Sequence, residues 1–163
     1  MLFTDGSVNP RLRVGYGAYL ARSERFGSLN SMADNIRLKL FVETSSTKLE
    51  LQTLLWALSE ISAAQIVSYT DSQNIAALNS RRKKLEGNDY FAKNGKRLKN
   101  HKLYRQFYKF ADDFNITFVK VKGHAPSSEK SDIERLFSLV DRASRNALRA
   151  YSSSLQSGMN TQE

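Results

Sequence analysis

Two short stretches of the 163-residue chain share one design, and they constrain its fold more than any other feature. In Phe3-Thr4-Asp5-Gly6-Ser7 a β-prone start runs into an acid and then a Gly-Ser break where the backbone can turn. In Ile66-Val67-Ser68-Tyr69-Thr70 a second strand-like run ends at Asp71, followed by Ser72, Gln73 and a helical pattern. Open α/β sheets place their chemistry at the carboxyl ends of strands, so two such endings predict one site built from both. A single Asp in this setting is more often a cap for the turn or helix after it. The pair, taken with two further acids below, outweighs that reading.

A chain of this length is expected to form one domain with a real core, and 40% hydrophobic with 25% charged residues is ordinary for a globular protein. No apolar run is long enough to span a bilayer, and the N-terminus lacks the basic-then-apolar order of a signal peptide. Cysteine is absent, which excludes disulfides and thiolate metal sites and fits a reducing cytosol, so a cytoplasmic location is the expectation. The net charge of +9 favours a polyanionic partner, with nucleic acid the default.

Read in order, Val14 to Leu20 forms a second strand, and residues 21–35 a polar hairpin link. Ile36 to Val42 alternates, with Ile36, Leu38, Leu40 and Val42 against Arg37, Lys39 and Phe41, and predicts a half-buried third strand. Ser45-Ser46-Thr47 opens a helix whose buried stripe is Leu51, Leu54, Leu55, Leu58 and Ile61. Glu50 extends that stripe into the first turn, although Thr47-Lys48-Leu49-Glu50 also matches a capping box. A helix from Ser72 through Leu78 follows Asp71, and a basic segment from Arg81 to Arg105 then reads as a protruding helix-loop arm. Tyr90 and Phe91 inside it either stack on bases or, the more usual case, pack the arm. A helix from His101 buries Leu103, Phe107, Phe110 and Phe114, and a strand through Val121 leads into a loop holding His124. The last helix is expected from about Asp132 to Ala150, with residues 151–163 a disordered tail rich in Ser and Gln. Asp141 lies at the edge of its apolar face, beside Phe137 and Val140, where an i,i+4 ion pair with Arg145 is the plain alternative. Three leading strands followed by helix-separated strands predict an α/β fold with a mixed five-stranded sheet, antiparallel and then parallel, and helices packed on it.

Asp5, Glu50, Asp71 and Asp141 thus come from element ends or edges that can face one point. Clustered carboxylates raise one another's pKa values, and divalent cations resolve the repulsion. Hard oxygen donors with no cysteine and two histidines select Mg²⁺, with Mn²⁺ as a substitute, over zinc. Two such ions about 4 Å apart are the usual clamp for displacement at a phosphodiester.

Over roughly residues 2–150 the chain resembles ribonuclease H of type 1, the ribonuclease HI family. The motifs are Phe3-Thr4-Asp5-Gly6-Ser7 with Gly15-Tyr16-Gly17-Ala18, Thr47-Lys48-Leu49-Glu50-Leu51, Tyr69-Thr70-Asp71-Ser72-Gln73, Val121-Lys122-Gly123-His124 and Val140-Asp141-Arg142-Ala143-Ser144-Arg145. The resemblance implies a catalytic domain over 1–150 with a ribonuclease H-like fold. It implies endonucleolytic cleavage of the RNA strand of RNA–DNA hybrids, with 5′-phosphate and 3′-hydroxyl ends, by a monomer needing no obligatory protein partner and no membrane. It also implies two Mg²⁺ ions held by Asp5, Glu50, Asp71 and Asp141, with His124 assisting proton transfer or product release. Gln73 and Ser46-Thr47 resemble the family's minor-groove contacts, and Ser45, Asn100 and Arg145 its pocket for a DNA-strand phosphate.

The chain departs from the family in the turn Val8 to Arg13, in the lack of tryptophan from the arm, and in the long interval from His124 to Asp141. Asp132 and Glu134 fall nearer the family spacing, but Asp-Arg-Ala-Ser-Arg matches locally at Asp141. The competing functions are a structure-specific DNA nuclease of the same fold and a non-catalytic nucleic-acid-binding domain.

Overall fold

Alternation along the first strand assigns the two faces of the sheet. Leu2 and Phe3 are both buried, yet Leu2 joins one apolar cluster and Phe3 the other. The computed structural model describes residues 1–23, 33–121 and 131–159, within which five strands form one sheet in the order β3-β2-β1-β4-β5. Strands β1 (Leu2–Asn9) and β2 (Val14–Ala21) pair antiparallel with Asp5 opposite Ala18, and β3 (Arg37–Phe41) pairs antiparallel with β2. Strand β4 (Gln65–Thr70) lies parallel to β1, and β5 (Asn115–Lys120) parallel to β4. The pairing of β1 with β4 covers only Leu2 with Ser68 and Phe3 with Tyr69. Beyond Asp5, therefore, the β1–β2 hairpin projects past the end of its parallel neighbour. The mixed sheet, antiparallel and then parallel, is the expected one.

One face carries α1 (Ser46–Glu60) and α4 (His101–Asp113), with Leu51, Leu54, Leu58, Phe107 and Tyr108 packed on Leu2, Ile66 and Ile116. The other carries α5 (Asp132–Met159), with Leu136, Phe137 and Val140 packed on Phe3, Ala18 and Leu20. Helix α1 sits on bare backbone. A Cβ at Gly6 would come within 2.8 Å of Leu49, one at Gly15 within 2.6 Å of Leu49, and one at Gly17 would collide with the Thr53 hydroxyl. Side chains at these positions would hold the helix off the sheet.

Three elements differ from the sequence expectation. Strand β3 is an edge strand more exposed than its pattern suggests: Ile36 packs beside the cluster of Phe3 and Leu20, but Leu38 is 45% exposed and Val42 61%. On the opposite side the exposed Lys39 holds its ammonium over the rings of Phe41 and Trp56. The helix after Asp71 is split into α2 (Gln73–Ala76) and α3 (Leu78–Gly87) by Ala77, whose ψ of 2° leaves helical geometry. Helix α5 continues to Met159, so residues 151–159 are helical where a disordered tail is expected. Tyr151 packs edge-on against Tyr16 of β2, and the Ser154 hydroxyl donates to the Tyr151 carbonyl, so the added turns are anchored and internally bonded. Residues 24–32, which hold most of the expected hairpin link, lie outside the described residues.

Gly17→Ala is expected to cost about 1–3 kcal/mol in urea unfolding, because the new methyl overpacks Thr53 and Phe41. Gly87→Ala, where a Cβ meets nothing within 4 Å, should stay within about 0.5 kcal/mol or stabilise. Equal midpoints for the two variants would show that the close seat of α1 is not needed.

Candidate active site

Three of the four expected acids meet at the carboxyl end of the parallel strands. Asp5 in β1, Asp71 just past β4 and Glu50 in the first turns of α1 line one small cleft with Thr53, Thr70 and Ser72. Larger hollows occur at the opposite end of the strands, one bordered by Met1, Leu2, Ile61 and Ile66 and another by Asp112 and Asp113, where Asp112 is paired with Arg82.

Neither capping alternative holds. Helix α1 begins at Ser46 with Ser45 as N-cap, which makes Glu50 its fifth residue, out of reach of the cap. The Glu50 carboxylate instead accepts a 2.6 Å hydrogen bond from the Ser72 hydroxyl. Ser72, not Asp71, caps α2, its side-chain oxygen accepting from the Ile75 amide at 3.3 Å. One serine thus starts a helix and ties it to the acid of another, leaving Asp71 exposed at the end of its strand.

Asp141 is half-buried on α5, and its carboxylate accepts two hydrogen bonds from the Arg145 guanidinium one turn on. The structure therefore contains the ion pair that the sequence offered as the alternative, with the Arg145 guanidinium on Asp141. Glu134 closes a capping box, accepting from the Ser131 amide at 2.8 Å and the Ser131 hydroxyl at 2.9 Å. Asp132 pairs with Arg135 at 3.6 Å in the first turn of α5. Both rivals of Asp141 thus have structural partners of their own at the helix start.

Sequence reasoning missed Ser144. This side chain is fully buried under α5 and donates a 2.8 Å hydrogen bond to Asp5, sharing its proton with the Asp141 carbonyl at 3.0 Å. It stands at the phase of Val140 and Phe137, where the apolar stripe calls for a hydrophobe. A small polar residue in that phase was the signal.

Burial pushes the Asp5 carboxyl up to about 6, opposed by the Ser144 hydrogen bond and reinforced by the charges of Asp141 and Asp71. Glu50 is raised too, first by burial and then by Asp71, with Ser72 opposing. The fourth acid thus acts on the cleft through its field, although its side chain is turned to Arg145. Among the described residues no three His, Cys, Asp or Glu side chains stand close enough to share one ion as arranged. The donor chemistry nonetheless fits a hard divalent cation: all oxygen, and two carboxyls held up by burial and mutual charge that a cation would relieve.

Among the residues that resemble substrate contacts, Ser45, Ser46 and Thr47 are exposed at the start of α1. Gln73 begins α2 beside Asp71 and accepts a 2.8 Å hydrogen bond from Lys120. Asn100 is the N-cap residue of α4, and no hydrogen bond or ion pair joins it to the acids. His124 lies outside the described residues. The basic segment runs from α3 through a turn with positive φ at Asp89, Tyr90 and Gly95 into α4. Asp89 pairs with both Arg97 and Arg105, Arg82 with Glu86 and Asp112, and Arg97 covers Phe91. Tyr90 is buried and packs the arm, whereas Phe91 is exposed, with the Arg97 guanidinium over its ring. Lys83, Lys84, Lys93, Lys96, Lys99 and Lys102 stay exposed.

The order of strands, the helices on both faces and the acids at the strand ends define a ribonuclease H-like fold. The RNase H family model matches residues 1–147, and the chain belongs to that family. It is 27% identical over 140 residues to a ribonuclease HI of Synechocystis sp. (strain ATCC 27184 / PCC 6803 / Kazusa), which covers 83% of this chain and 82% of the relative. A solved foamy viral protease-reverse transcriptase in complex with an RNA/DNA hybrid matches with a TM-score of 0.69 at 14% identity, over 89% of this chain and 19% of that one. The likeness to that longer protein is one of fold.

The Asp5 shift sets the sign of a pH effect. A folded carboxyl raised from 3.8 to about 6 contributes stability that is complete below pH 3.8 and is lost as pH rises through 6. Without metal, Asp5→Asn should therefore gain about 1–3 kcal/mol at pH 7 and nothing at pH 4, read by denaturant melts in EDTA. A gain equal at both pH values would assign the effect elsewhere. A divalent cation held at Asp5 would bind Ser144→Ala about tenfold more weakly in Mg²⁺ calorimetry, because the hydroxyl behind that carboxylate is gone.

Proposed function

We propose that the protein is an endoribonuclease that hydrolyses the RNA strand of RNA–DNA hybrids, leaving 5′-phosphate and 3′-hydroxyl ends. The observation that carries this reading is the meeting of Asp5, Glu50 and Asp71 in one cleft, with the charge of Asp141 acting on it, in a chain of the RNase H family. Residues 1–150 form the catalytic domain, and the active form is a monomer in the cytoplasm.

Asp5, Glu50, Asp71 and Asp141 would hold two Mg²⁺ ions. When bound, these ions supply an activated water and neutralise charge at the scissile phosphate. The chain's own groups do the rest. Ser72 and Ser144 fix the Glu50 and Asp5 carboxylates from behind, so that both point into the cleft. Ser46, Thr47 and Gln73 bind the minor groove of the hybrid, and Ser45, Asn100 and Arg145 bind a phosphate of the DNA strand. His124, which follows β5 in Val121-Lys122-Gly123-His124, assists proton transfer or product release. The exposed lysines of the arm hold the duplex by charge.

Labelled RNA–DNA, DNA–DNA and RNA–RNA duplexes incubated with Mg²⁺ test the reading, with cleavage expected of the hybrid's RNA strand alone. Equal cleavage of DNA–DNA would favour a structure-specific DNA nuclease, and binding without cleavage a non-catalytic module. Asp71→Asn should abolish turnover in a folded protein. Asp141→Ala should cut activity severely, whereas Asp132→Ala and Glu134→Ala should each cost less than about tenfold, or 1.4 kcal/mol in barrier. A dead Glu134→Ala enzyme beside an active Asp141→Ala enzyme would reverse the choice of fourth ligand.

A further inference from the structure

Helix α5 is longer than the sheet it covers. Its 28 residues extend about 42 Å, against about 27 Å for the 8 residues of β1. Phe137 and Val140 pack on the cluster with Phe3 and Leu20, Ser144 reaches Asp5, and Tyr151 reaches Tyr16. The helix therefore runs past the acids toward the projecting β1–β2 hairpin, and its last turns lie on the substrate side of the cleft.

Arg142, Arg145 and Arg149 are exposed along this stretch at i, i+3 and i+7. At about 100° per residue they fall within about 60° of one another around the axis, on the flank that carries Asp141 and away from buried Val140 and Ser144. Arg145 is engaged by Asp141, but Arg142 and Arg149 have no ion pair among the described residues. These two differ by only about 20° around the axis and by about 10 Å along it. That rise is close to three steps of the axial phosphate spacing of one nucleic-acid strand. Two unpaired guanidiniums at that interval, beside an acid cleft and on a rigid helix, form a rail for a polyanion of regular charge spacing. Arginine also binds phosphate bidentately, which fixes register as well as charge.

We propose that Arg142 and Arg149 bind two backbone phosphates of one strand of the hybrid beyond the cleft, on the side away from the lysine arm. This rests on the hybrid being the substrate. The grip is then two-sided, with exposed lysines on one flank and a helix-mounted pair on the other.

The test uses the full chain carrying Asp71→Asn, so that binding is read without turnover. Anisotropy of an 18-base-pair RNA–DNA hybrid labelled on the DNA strand is followed against salt. Arg142→Gln with Arg149→Gln should flatten the slope of log affinity against log salt by roughly 1.8, and either alone by roughly 0.9. Arg135→Gln, on the same helix but paired with Asp132, should leave the slope unchanged. An unchanged slope in the double variant overturns the rail alone, as does an equal loss with Arg135→Gln, which would reduce the effect to net charge. Failure of the Asp71→Asn parent to bind the hybrid overturns the rail and the substrate assignment together.

Discussion

The contact on which the site depends is the seating of Leu49 and Thr53 of α1 on the uncovered backbone of Gly6, Gly15 and Gly17. Interiors pack at crystal-like density, so a helix held off by even a methyl group moves as a body. Because α1 lies this close, Glu50 at its fifth position reaches Ser72 and the end of β4. On the other face α5 approaches closely enough for Ser144 to reach Asp5. The acids of the cleft thus come from sheet and helix α1, α5 backs them through Ser144, and their convergence follows from the thinness of the stack.

The sheet was legible wherever the sequence is strongly periodic and bounded by clear turns. Strands β1, β2, β4 and β5 and the change from antiparallel to parallel followed from that pattern. Strand β3 shows its limit, since alternation says that two faces differ and not which of them a neighbour covers. Leu38 and Val42 look like core residues, but on this edge strand both stay exposed. Composition misled at the chain end for a related reason. Serine-rich segments are poor helix formers alone, yet one aromatic anchor at Tyr151 and serine-to-carbonyl bonds extend an existing helix at little nucleation cost.

Within the site, the identities of Asp5, Glu50 and Asp71 were readable because two of them end strand-like runs and the third heads a buried helical stripe. Their partners were not readable by that route. A hydroxyl that turns a carboxylate by one bond leaves no periodic trace, so Ser72 looked like an ordinary cap. Ser144 left a fainter sign, a small polar residue in an apolar phase. Asp141 shows the reverse problem, because one spacing serves both a metal ligand and a helical ion pair such as the one it makes with Arg145.

The arm separates its two kinds of cation. Arg82, Arg97 and Arg105 face carboxylates of the protein, and Arg97 also lies on an aromatic ring. The forked, directional donors are thus used up in holding the arm together, and the exposed surface is left to ammonium groups on flexible stems. Such groups sense the density of negative charge and carry little information about base identity. The arm therefore presents to a passing duplex a surface indifferent to its letters, across which the strand can shift by a nucleotide with little change in energy.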